Sequence, residues 1–123
     1  MGVNGKVLVV DDQEGIRKLL EETCMLLGYD VISAPSGTEA VKIAAEQKIT
    51  AAVVDMKMPG LNGIETLKRL SAIDPDIKVV LMTGYGEMHL LEDALKLGAC
   101  DIIRKPFDLE EIRNFLERVF LAG

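Results

Sequence analysis

Residues 51–60 read AAVVDMKMPG, and this stretch decides the fold. Four apolar residues precede Asp55, and Pro59-Gly60 shortly after it predicts a turn. A short, continuous apolar run is typical of a strand that is buried on both faces, as in a parallel sheet. We therefore expect Asp55 to stand at the carboxyl end of a buried strand.

Polar residues follow three more strand-like runs in the same way. They are Asp11 and Asp12 after residues 7–10, Thr83 after residues 79–82, and Lys105 after residues 102–104. In an open parallel sheet the carboxyl ends of the strands lie on one rim, where ligands bind. The sequence therefore predicts that three acids, a hydroxyl and a lysine meet at a single rim.

Strand-like and helix-like segments alternate along the whole chain. The predicted strands cover residues 6–10, 29–33, 51–54, 77–82 and 101–103. A helical period of apolar residues follows each of them, and this alternation is typical of a parallel sheet with helices on both faces. We predict an α/β fold with a five-stranded, doubly wound parallel sheet.

The predicted helices have recognisable starts and ends. Ser36, Asn62 and Asp108 suit helix starts, and the last two have a glutamate three residues later, as in a capping box. Gly28 is expected to end the first helix, and the fourth helix is expected over residues 87–97.

Apolar spacing identifies the helix faces that we expect to be buried. They carry Leu19, Leu20 and Leu27 in the first helix, and Ala40, Val41, Ala44 and Ala45 in the second.

The composition bounds the class of protein. A chain of 123 residues suits one domain, here residues 1–123 with no output domain. The net charge of −6 and the lack of a basic stripe argue against direct nucleic-acid binding. No apolar run approaches the ~18 residues of a membrane span, and the start lacks a signal-peptide pattern. We expect a cytoplasmic protein without membrane contact, in which Cys24 and Cys100 are buried free thiols.

The three acids at the predicted rim imply a bound cation. Without one, Asp11, Asp12 and Asp55 would repel one another, and at least one pKa would rise. Mg²⁺ suits such a site because it prefers oxygen ligands and leaves room for a substrate phosphate. Asp55 is then the expected nucleophile, with Thr83 and Lys105 stabilising the transferred phosphoryl group.

Each of these residues also has a simpler interpretation when it is taken alone. Asp11 or Asp12 suits a helix cap, Thr83 a loop, and Lys105 a solvated surface. His89, the single histidine, is expected on the surface of a helix. The joint occurrence of the set at four strand ends is what favours phosphoryl transfer.

Four motifs resemble those of the receiver domains of two-component response regulators. They are VVDD at residues 9–12, DMKMPGLNG at 55–63, MTGY at 82–85 and KPF at 105–107. The similarity covers essentially the whole chain and implies a flavodoxin-like sheet with strand order 2-1-3-4-5. It also implies that Asp55 is the phosphoacceptor and that Thr83 and Lys105 contact phosphoryl oxygens.

The resemblance further implies a Mg²⁺ site, in which Mn²⁺ can substitute. Asp12 would bind the metal directly and Asp11 largely through water. Asp55 and the backbone carbonyl of Lys57 would complete the protein ligands. The family also has a cis peptide bond at the position of Lys105-Pro106.

A narrower likeness is to the stand-alone receivers of phosphorelays. The segments DDQEGIR at 11–17, DMKMPG at 55–60 and GIE at 63–65 carry it. It implies that a sensor histidine kinase donates the phosphoryl group and that a histidine phosphotransferase receives it. An output protein is the other expected partner. Ile102 stands where many receivers have an inward-swinging Phe or Tyr, which favours a phosphate carrier. The alternative is the receiver domain of a transcription-regulating or chemotaxis response regulator.

Partner docking is expected around the start of the first helix and the loops of the rim. The candidate residues are Gln13, Gly15, Ile16, Tyr85, Pro106 and Phe107. Ile16 lies one turn into the helix, and its spacing also allows a place in the core.

Two other classes of protein fit these residues less well. A hydrolase of the haloacid-dehalogenase kind also uses a strand-end aspartate, but on the first strand in an Asp-x-Asp arrangement, whereas Asp11 and Asp12 are adjacent. A flavin-binding module needs amides and hydroxyls after the first strand to hold a phosphate. The acids within residues 11–14 would repel that phosphate.

Overall fold

The computed structural model describes residues 6–84 and 89–121, which form a parallel sheet flanked by helices. The strands are β1 (Lys6–Val10), β2 (Val31–Ala34), β3 (Ile49–Asp55), β4 (Lys78–Thr83) and β5 (Asp101–Arg104). The helices are α1 (Glu14–Leu26), α2 (Gly37–Glu46), α3 (Gly63–Ile73), α4 (Leu91–Lys96) and α5 (Leu109–Leu121). All strand pairs are parallel, in the order β2-β1-β3-β4-β5. The predicted fold class and strand order are confirmed.

The central strand β3 is buried on both faces because its apolar side chains alternate between two layers of the core. Ala52 and Val54 belong to the layer that α2, α3 and α4 cover. Ala51 and Val53 belong to the layer that α1 and α5 cover. This double burial explains the continuous apolar run before Asp55 and anchors the end of the strand at the rim.

Hydrogen bonds confirm three predicted helix starts. The Ser36 hydroxyl accepts a bond from a backbone N–H in the first turn of α2. Asn62 and Glu65 form a reciprocal capping box at the start of α3. Asp108 and Glu111 exchange the same pair of bonds before α5. These bonds satisfy N–H groups that a helix start leaves unpaired, and they therefore stabilise the first turns of the three helices. α3 and α5 begin directly after loops of the rim.

Two of the predicted helix faces are wrong in part. Leu19 is 48% exposed, because the inward line of α1 runs through Leu20 and Cys24. Leu27 is only partly buried. In α2, Ala45 is exposed. Neighbouring positions on a helix lie about 100° apart, so the neighbour of a fully inward residue can face solvent.

The bounds of five elements differ from the prediction. β3 begins two residues earlier and ends one residue later than predicted, β4 is shifted by one residue, and β5 ends one residue later. β2 covers Val31–Ala34 rather than residues 29–33. The backbone N–H of Tyr29 donates to the Cys24 carbonyl of α1, so Tyr29 still belongs to the turn after that helix. Its ring packs against Phe120, with 4.7 Å between the ring centroids. α4 covers Leu91–Lys96, and its predicted start at residue 87 lies outside the described residues. Gly28, which follows the end of α1, has φ of +93°, a conformation that favours glycine.

The burial of one of the two cysteines differs from the prediction. Cys24 is buried in α1, as predicted, but Cys100 is exposed just before β5. The neighbouring Ala99 takes the inward position there instead. The prediction of a buried thiol is therefore wrong for Cys100.

All helices in the described part of the chain are shorter than a membrane span requires. The two longest, α1 and α5, have 13 residues each. Over residues 6–84 and 89–121, no helix has the length and apolar character needed to cross a membrane.

Candidate functional site

The carboxyl ends of β1 and β3 bring three acids together. The two strands are neighbours in the sheet, with Val10 beside Val54, so the residues that follow them leave at the same rim. One carboxylate oxygen from each of Asp11, Asp12 and Asp55 lies within 4.8 Å of the other two. Asp11 and Asp55 are buried and Asp12 is exposed, so the cluster reaches from the core to solvent.

Lys105 brings a positive charge from the edge of the sheet to this cluster. Its Nζ atom lies 2.8 Å from Oδ1 of Asp55 and 3.4 Å from Oδ2 of Asp11. Its backbone N–H donates to the Thr83 carbonyl at 2.7 Å, and the peptide bond to Pro106 is cis, as the family resemblance implied. The structure therefore joins the predicted acids and the predicted lysine in one set of contacts.

The electrostatic balance of the cluster leaves Asp55 costly to ionise. Burial raises the pKa of Asp55, and the charges of Asp11 and Asp12 raise it further, against the opposing effect of Lys105. For Lys105, burial acts to lower the pKa, but the hydrogen bond and charge of Asp55, together with those of Asp11, raise it overall. An additional cation beside Asp55 would offset the remaining cost of its negative charge.

Arg17 is a residue of the site that the sequence reasoning did not identify. Its Nη1 atom donates to the backbone carbonyl of Asp11 at 2.8 Å. The Asp11 carboxylate, in turn, accepts a bond from the Gln13 N–H at 2.9 Å. Both bonds hold the turn between β1 and α1 and hence the position of Asp12. The available signal was a long basic side chain in the second turn of the helix after the acid pair.

Thr83 ends β4 with a buried hydroxyl. Its Oγ1 atom has no hydrogen-bond partner in the part of the chain that the structure describes. A buried polar atom without a partner costs about 1–3 kcal/mol, so such atoms in native proteins call for an explanation. A ligand oxygen at the rim would supply the missing partner.

A cleft of about 650 Å³ opens beside the cluster. Its lining residues are Asp12, Gln13, Asp55, Lys57, Met58, Pro59, Gly84 and Lys105. A second cleft, of about 620 Å³, lies between β5 and α5 and contains none of the three clustered acids. The chemistry-bearing residues therefore select the first cleft as the candidate site.

The donor atoms at the rim fit a hard divalent cation. Asp11, Asp12 and Asp55 offer carboxylate oxygens, and Mg²⁺ is bound in proteins by such oxygens together with water and phosphate. Lys57 lines the same cleft with an exposed side chain, and its backbone carbonyl follows Asp55 in the loop after β3. The residues that are present thus suit the metal that the sequence implied.

The predicted docking residues have different degrees of exposure. Gln13, Gly15 and Pro106 are exposed. Ile16 and Phe107 are partly buried and pack against the core layer that α1 and α5 cover. Tyr85 lies outside the described residues. His89 is exposed, as predicted.

A family model matches most of the chain. The model is that of the response regulator receiver domain, and it matches residues 7–117. A crystal structure of a response regulator receiver domain protein from Clostridium thermocellum superimposes with a TM-score of 0.91 at 30% identity. That match covers 96% of this chain and 95% of the other.

Two curated relatives match over nearly their whole length. Sporulation initiation phosphotransferase F of Bacillus subtilis is 42% identical over 116 residues, which are 94% of this chain and 94% of the relative. Chemotaxis protein CheY of Thermotoga maritima is 35% identical over 115 residues, which are 93% of this chain and 96% of the relative.

Proposed function

The chain belongs to the response regulator receiver family of two-component signalling, and we propose that it accepts a phosphoryl group on Asp55 from a sensor histidine kinase. One observation carries the choice of residue. Asp55 contacts Lys105, lies in the acid cluster and also lines the cleft. Asp11 is fully buried and does not line that cleft. Asp12 also lines the cleft, but the Lys105 ammonium pairs with Asp55 and Asp11 among the described residues. Asp55 is therefore the acid that both lines the cleft and contacts Lys105.

The proposed reaction is a displacement at phosphorus. A carboxylate oxygen of Asp55 forms a bond to phosphorus while the bond between phosphorus and the donor's imidazole nitrogen breaks, and the electron pair stays on the histidine. Lys105 and Thr83 would each contact a phosphoryl oxygen. This role also gives the Thr83 hydroxyl the partner that it lacks among the described residues.

We propose Mg²⁺, with Mn²⁺ as a substitute, as the cation of the site. Asp12 would bind it directly and Asp11 largely through water, and Asp55 and the Lys57 carbonyl would complete the protein ligands. When it is bound, the cation supplies positive charge that offsets the developing charge on the phosphoryl oxygens. The oxygen-only donor set and the raised pKa of Asp55 support this assignment.

We further propose that the protein is a carrier that passes its phosphoryl group to a histidine phosphotransferase in a phosphorelay. The relative named as a phosphotransferase supports this, because each chain covers 94% of the other. Ile102 supports it too, since the inward-swinging aromatic ring of many regulators has no counterpart at this position. Exchange with histidine kinases would place the protein in the cytoplasm.

The chemotaxis-type relative favours a second candidate function. It also matches over nearly its whole length, although at a lower identity of 35%. In that case the phosphorylated protein would bind an output protein instead of passing its phosphoryl group on. The two candidates share the Asp55 chemistry and differ only in what happens after phosphorylation.

The proposed docking surface consists of Gln13, Gly15, Ile16, Pro106 and Phe107, together with Tyr85. The first five lie around the start of α1 and in the loop after β5. An apolar anchor beside a charged site suits a helical partner that carries the donor or acceptor histidine.

Small-molecule labelling tests the Asp55 assignment without any partner. We expect acetyl phosphate and Mg²⁺ to add one acyl phosphate, which hydroxylamine removes, to the wild type. Asp55→Asn should take up no label, whereas Asp30→Asn, which changes an exposed acid before β2, should label normally. Labelling of Asp55→Asn at the wild-type rate would refute the assignment.

Transfer from the labelled protein separates the two candidate functions. The labelled wild type is mixed with each histidine phosphotransferase of its own genome. Rapid movement of the label onto a histidine supports the carrier. Failure of every transfer, with normal acceptance from a kinase, would favour the chemotaxis-type role.

A further inference from the structure

The loop between β3 and α3 is closed by direct contact between backbone segments. The Gly63 N–H donates to the Met56 carbonyl at 2.8 Å, and the Met56 N–H donates to the Met82 carbonyl of β4 at 2.9 Å. A Cβ atom on Gly63 would lie 2.6 Å from the Met56 Cα and 2.8 Å from the Asp55 carbonyl oxygen. Because backbone cannot move aside as a flexible side chain can, this closure requires glycine at position 63.

A second glycine, on a different helix, packs closely against the end of the same loop that precedes α3. Gly37 is the first residue of α2. A Cβ atom there would lie 2.2 Å from the Thr66 Oγ1 and 2.8 Å from the Leu61 Cβ. Thr66 is fully buried, and its hydroxyl donates to the Asn62 carbonyl at 2.8 Å. The start of α2 therefore lies directly against the residues that end the loop.

The loop between these contacts carries the one proposed metal ligand that is not a side chain. A carboxylate can rotate about its bonds to meet a cation, but the Lys57 carbonyl moves only with its backbone. Mg²⁺ demands near-ideal geometry, with oxygens at about 2.0–2.1 Å. A displacement of a few tenths of an ångström in the loop is therefore enough to weaken that contact.

We propose that Gly37 and Gly63 act as a two-sided clamp on the loop and that Gly37 is a positioning residue for the metal site. The inference rests on the proposed Mg²⁺ site. Gly63 sets the distance between the loop and the end of β3. Gly37 acts at a distance, through Leu61 and Thr66, and touches neither the cation nor the phosphoryl group. Neither glycine was singled out by the sequence reasoning as part of the site.

Magnesium titration of the folded protein tests the clamp without any phosphorylation assay. Mg²⁺ affinity is measured by calorimetry for the wild type, Gly37→Ala and Thr66→Val, at a temperature at which circular dichroism shows each to be folded. Thr66→Val deletes the hydroxyl but keeps the size of the side chain, so it loosens the clamp without the collision that could unfold Gly37→Ala. We expect both variants to bind Mg²⁺ about 10-fold or more weakly, the lower end of the loss that follows when groups that orient metal ligands are changed.

The control is Ile49→Ala, which removes a buried side chain at the opposite end of β3, away from the rim. It should lower the melting temperature and leave Mg²⁺ affinity unchanged. Wild-type affinity in every folded clamp variant, or an equal loss of affinity in Ile49→Ala, would overturn the clamp. Absence of Mg²⁺ binding by the wild type would instead overturn the proposed metal site.

Discussion

The Nζ atom of Lys105 lies 2.8 Å from Oδ1 of Asp55 and thereby links the edge of the sheet to its centre. Lys105 follows the edge strand β5, Asp55 ends β3, and β4 lies between them. The contact sets a positive charge against a buried acid, but the pKa of Asp55 remains raised. Lys105 thus offsets only part of the cost of ionising Asp55, and the stability predictions for Lys105, Asp55 and Mg²⁺ follow from this.

Replacing Lys105 should destabilise the metal-free protein. Burial lowers the Lys105 pKa, but Asp55 and Asp11 raise it overall in the folded state. The charged ammonium therefore stabilises the fold while these acids are ionised, and this contribution is lost as the pH rises from 10.5 through the raised pKa. We expect Lys105→Met to lower the free energy of unfolding by about 1.5–3 kcal/mol, the range for a hydrogen bond to a charged group. Urea unfolding at neutral pH measures it.

Lys48→Met is the matched control for that experiment. Lys48 pairs with Asp74 at 3.4 Å, but its side chain is largely exposed. Solvent and salt screen such an exposed pair, so it contributes little to stability. Equal losses in the two variants would show that the contact with Asp55 has no special weight.

Asp55→Asn should stabilise the metal-free protein. Burial raises the pKa of Asp55, so its ionisation opposes folding at neutral pH. This destabilising effect grows as the pH rises from 3.8, the ordinary pKa of an aspartate, through the raised pKa of Asp55. It stays constant at higher pH. Thermal melts of both proteins from acid to neutral pH should show a difference that grows over this window and then stays constant. A lower melting temperature for Asp55→Asn at neutral pH would contradict the prediction.

Mg²⁺ should stabilise the wild type through the acid cluster. At 100 times its dissociation constant, a ligand that binds only the folded state adds about 2.7 kcal/mol. Asp12→Ala should abolish this gain and slightly stabilise the metal-free protein, because it removes one of three close negative charges. Asp30→Ala, at an exposed acid, should keep the full gain. An unchanged melting temperature of the wild type at saturating Mg²⁺ would refute the metal site.

Alanine variants of Ile16 and Leu19 should distinguish a role in core packing from a role in partner docking on α1. Ile16 is partly buried against the core, so Ile16→Ala should cost about 1–2 kcal/mol, below the range for a fully buried residue. Leu19 is 48% exposed, and Leu19→Ala should cost less. If Ile16 also docks partners, Ile16→Ala should slow phosphoryl transfer and leave acetyl phosphate labelling intact. Normal transfer by Ile16→Ala would remove it from the docking surface.

The two thiols should differ in reactivity. Burial raises the pKa of Cys24 to about 12, so almost no thiolate forms there at neutral pH. Cys100 is exposed. Iodoacetamide should therefore modify only Cys100 in the native protein and both residues in denaturant, as mass spectrometry would show. Alkylation of Cys24 at the same rate under native conditions would mean that α1 opens readily.

The fold was predictable because local patterns and long-range packing agree in this chain. Apolar runs mark strands that are buried on two faces, and the capping boxes at Asn62 and Asp108 mark the helices that follow. The burial predictions were wrong where the pattern of apolar residues allows either of two neighbouring residues to face the core. The periodicity of α1 did not separate Leu19 from Leu20, and nothing local indicated that Ala99, rather than Cys100, takes the inward position.

The membership of the site was predictable for a topological reason. In a parallel sheet, a residue directly after a strand has only one rim to occupy, so Asp11, Asp55 and Lys105 were expected on the same rim. The family resemblance implied the cis peptide bond before Pro106, which the structure has, and the Lys57 carbonyl as a metal ligand, which stays a proposal. Arg17 was not predicted because its contribution is one bond from a flexible side chain to a backbone carbonyl, and its position in the second turn of α1 is only a weak signal for such a bond.

The sequence by itself determined the sheet, its rim and the kinds of group that stand there, because strand periodicity and strand ends are local properties. Only the tertiary structure decided that Asp12 and Asp55, but not Asp11, line the cleft, that Lys105 bridges Asp55 and Asp11, and that Gly37 packs against a loop of another βα unit. These facts depend on distances between elements far apart in the chain. Such distances are set by how whole layers pack and not by any short segment.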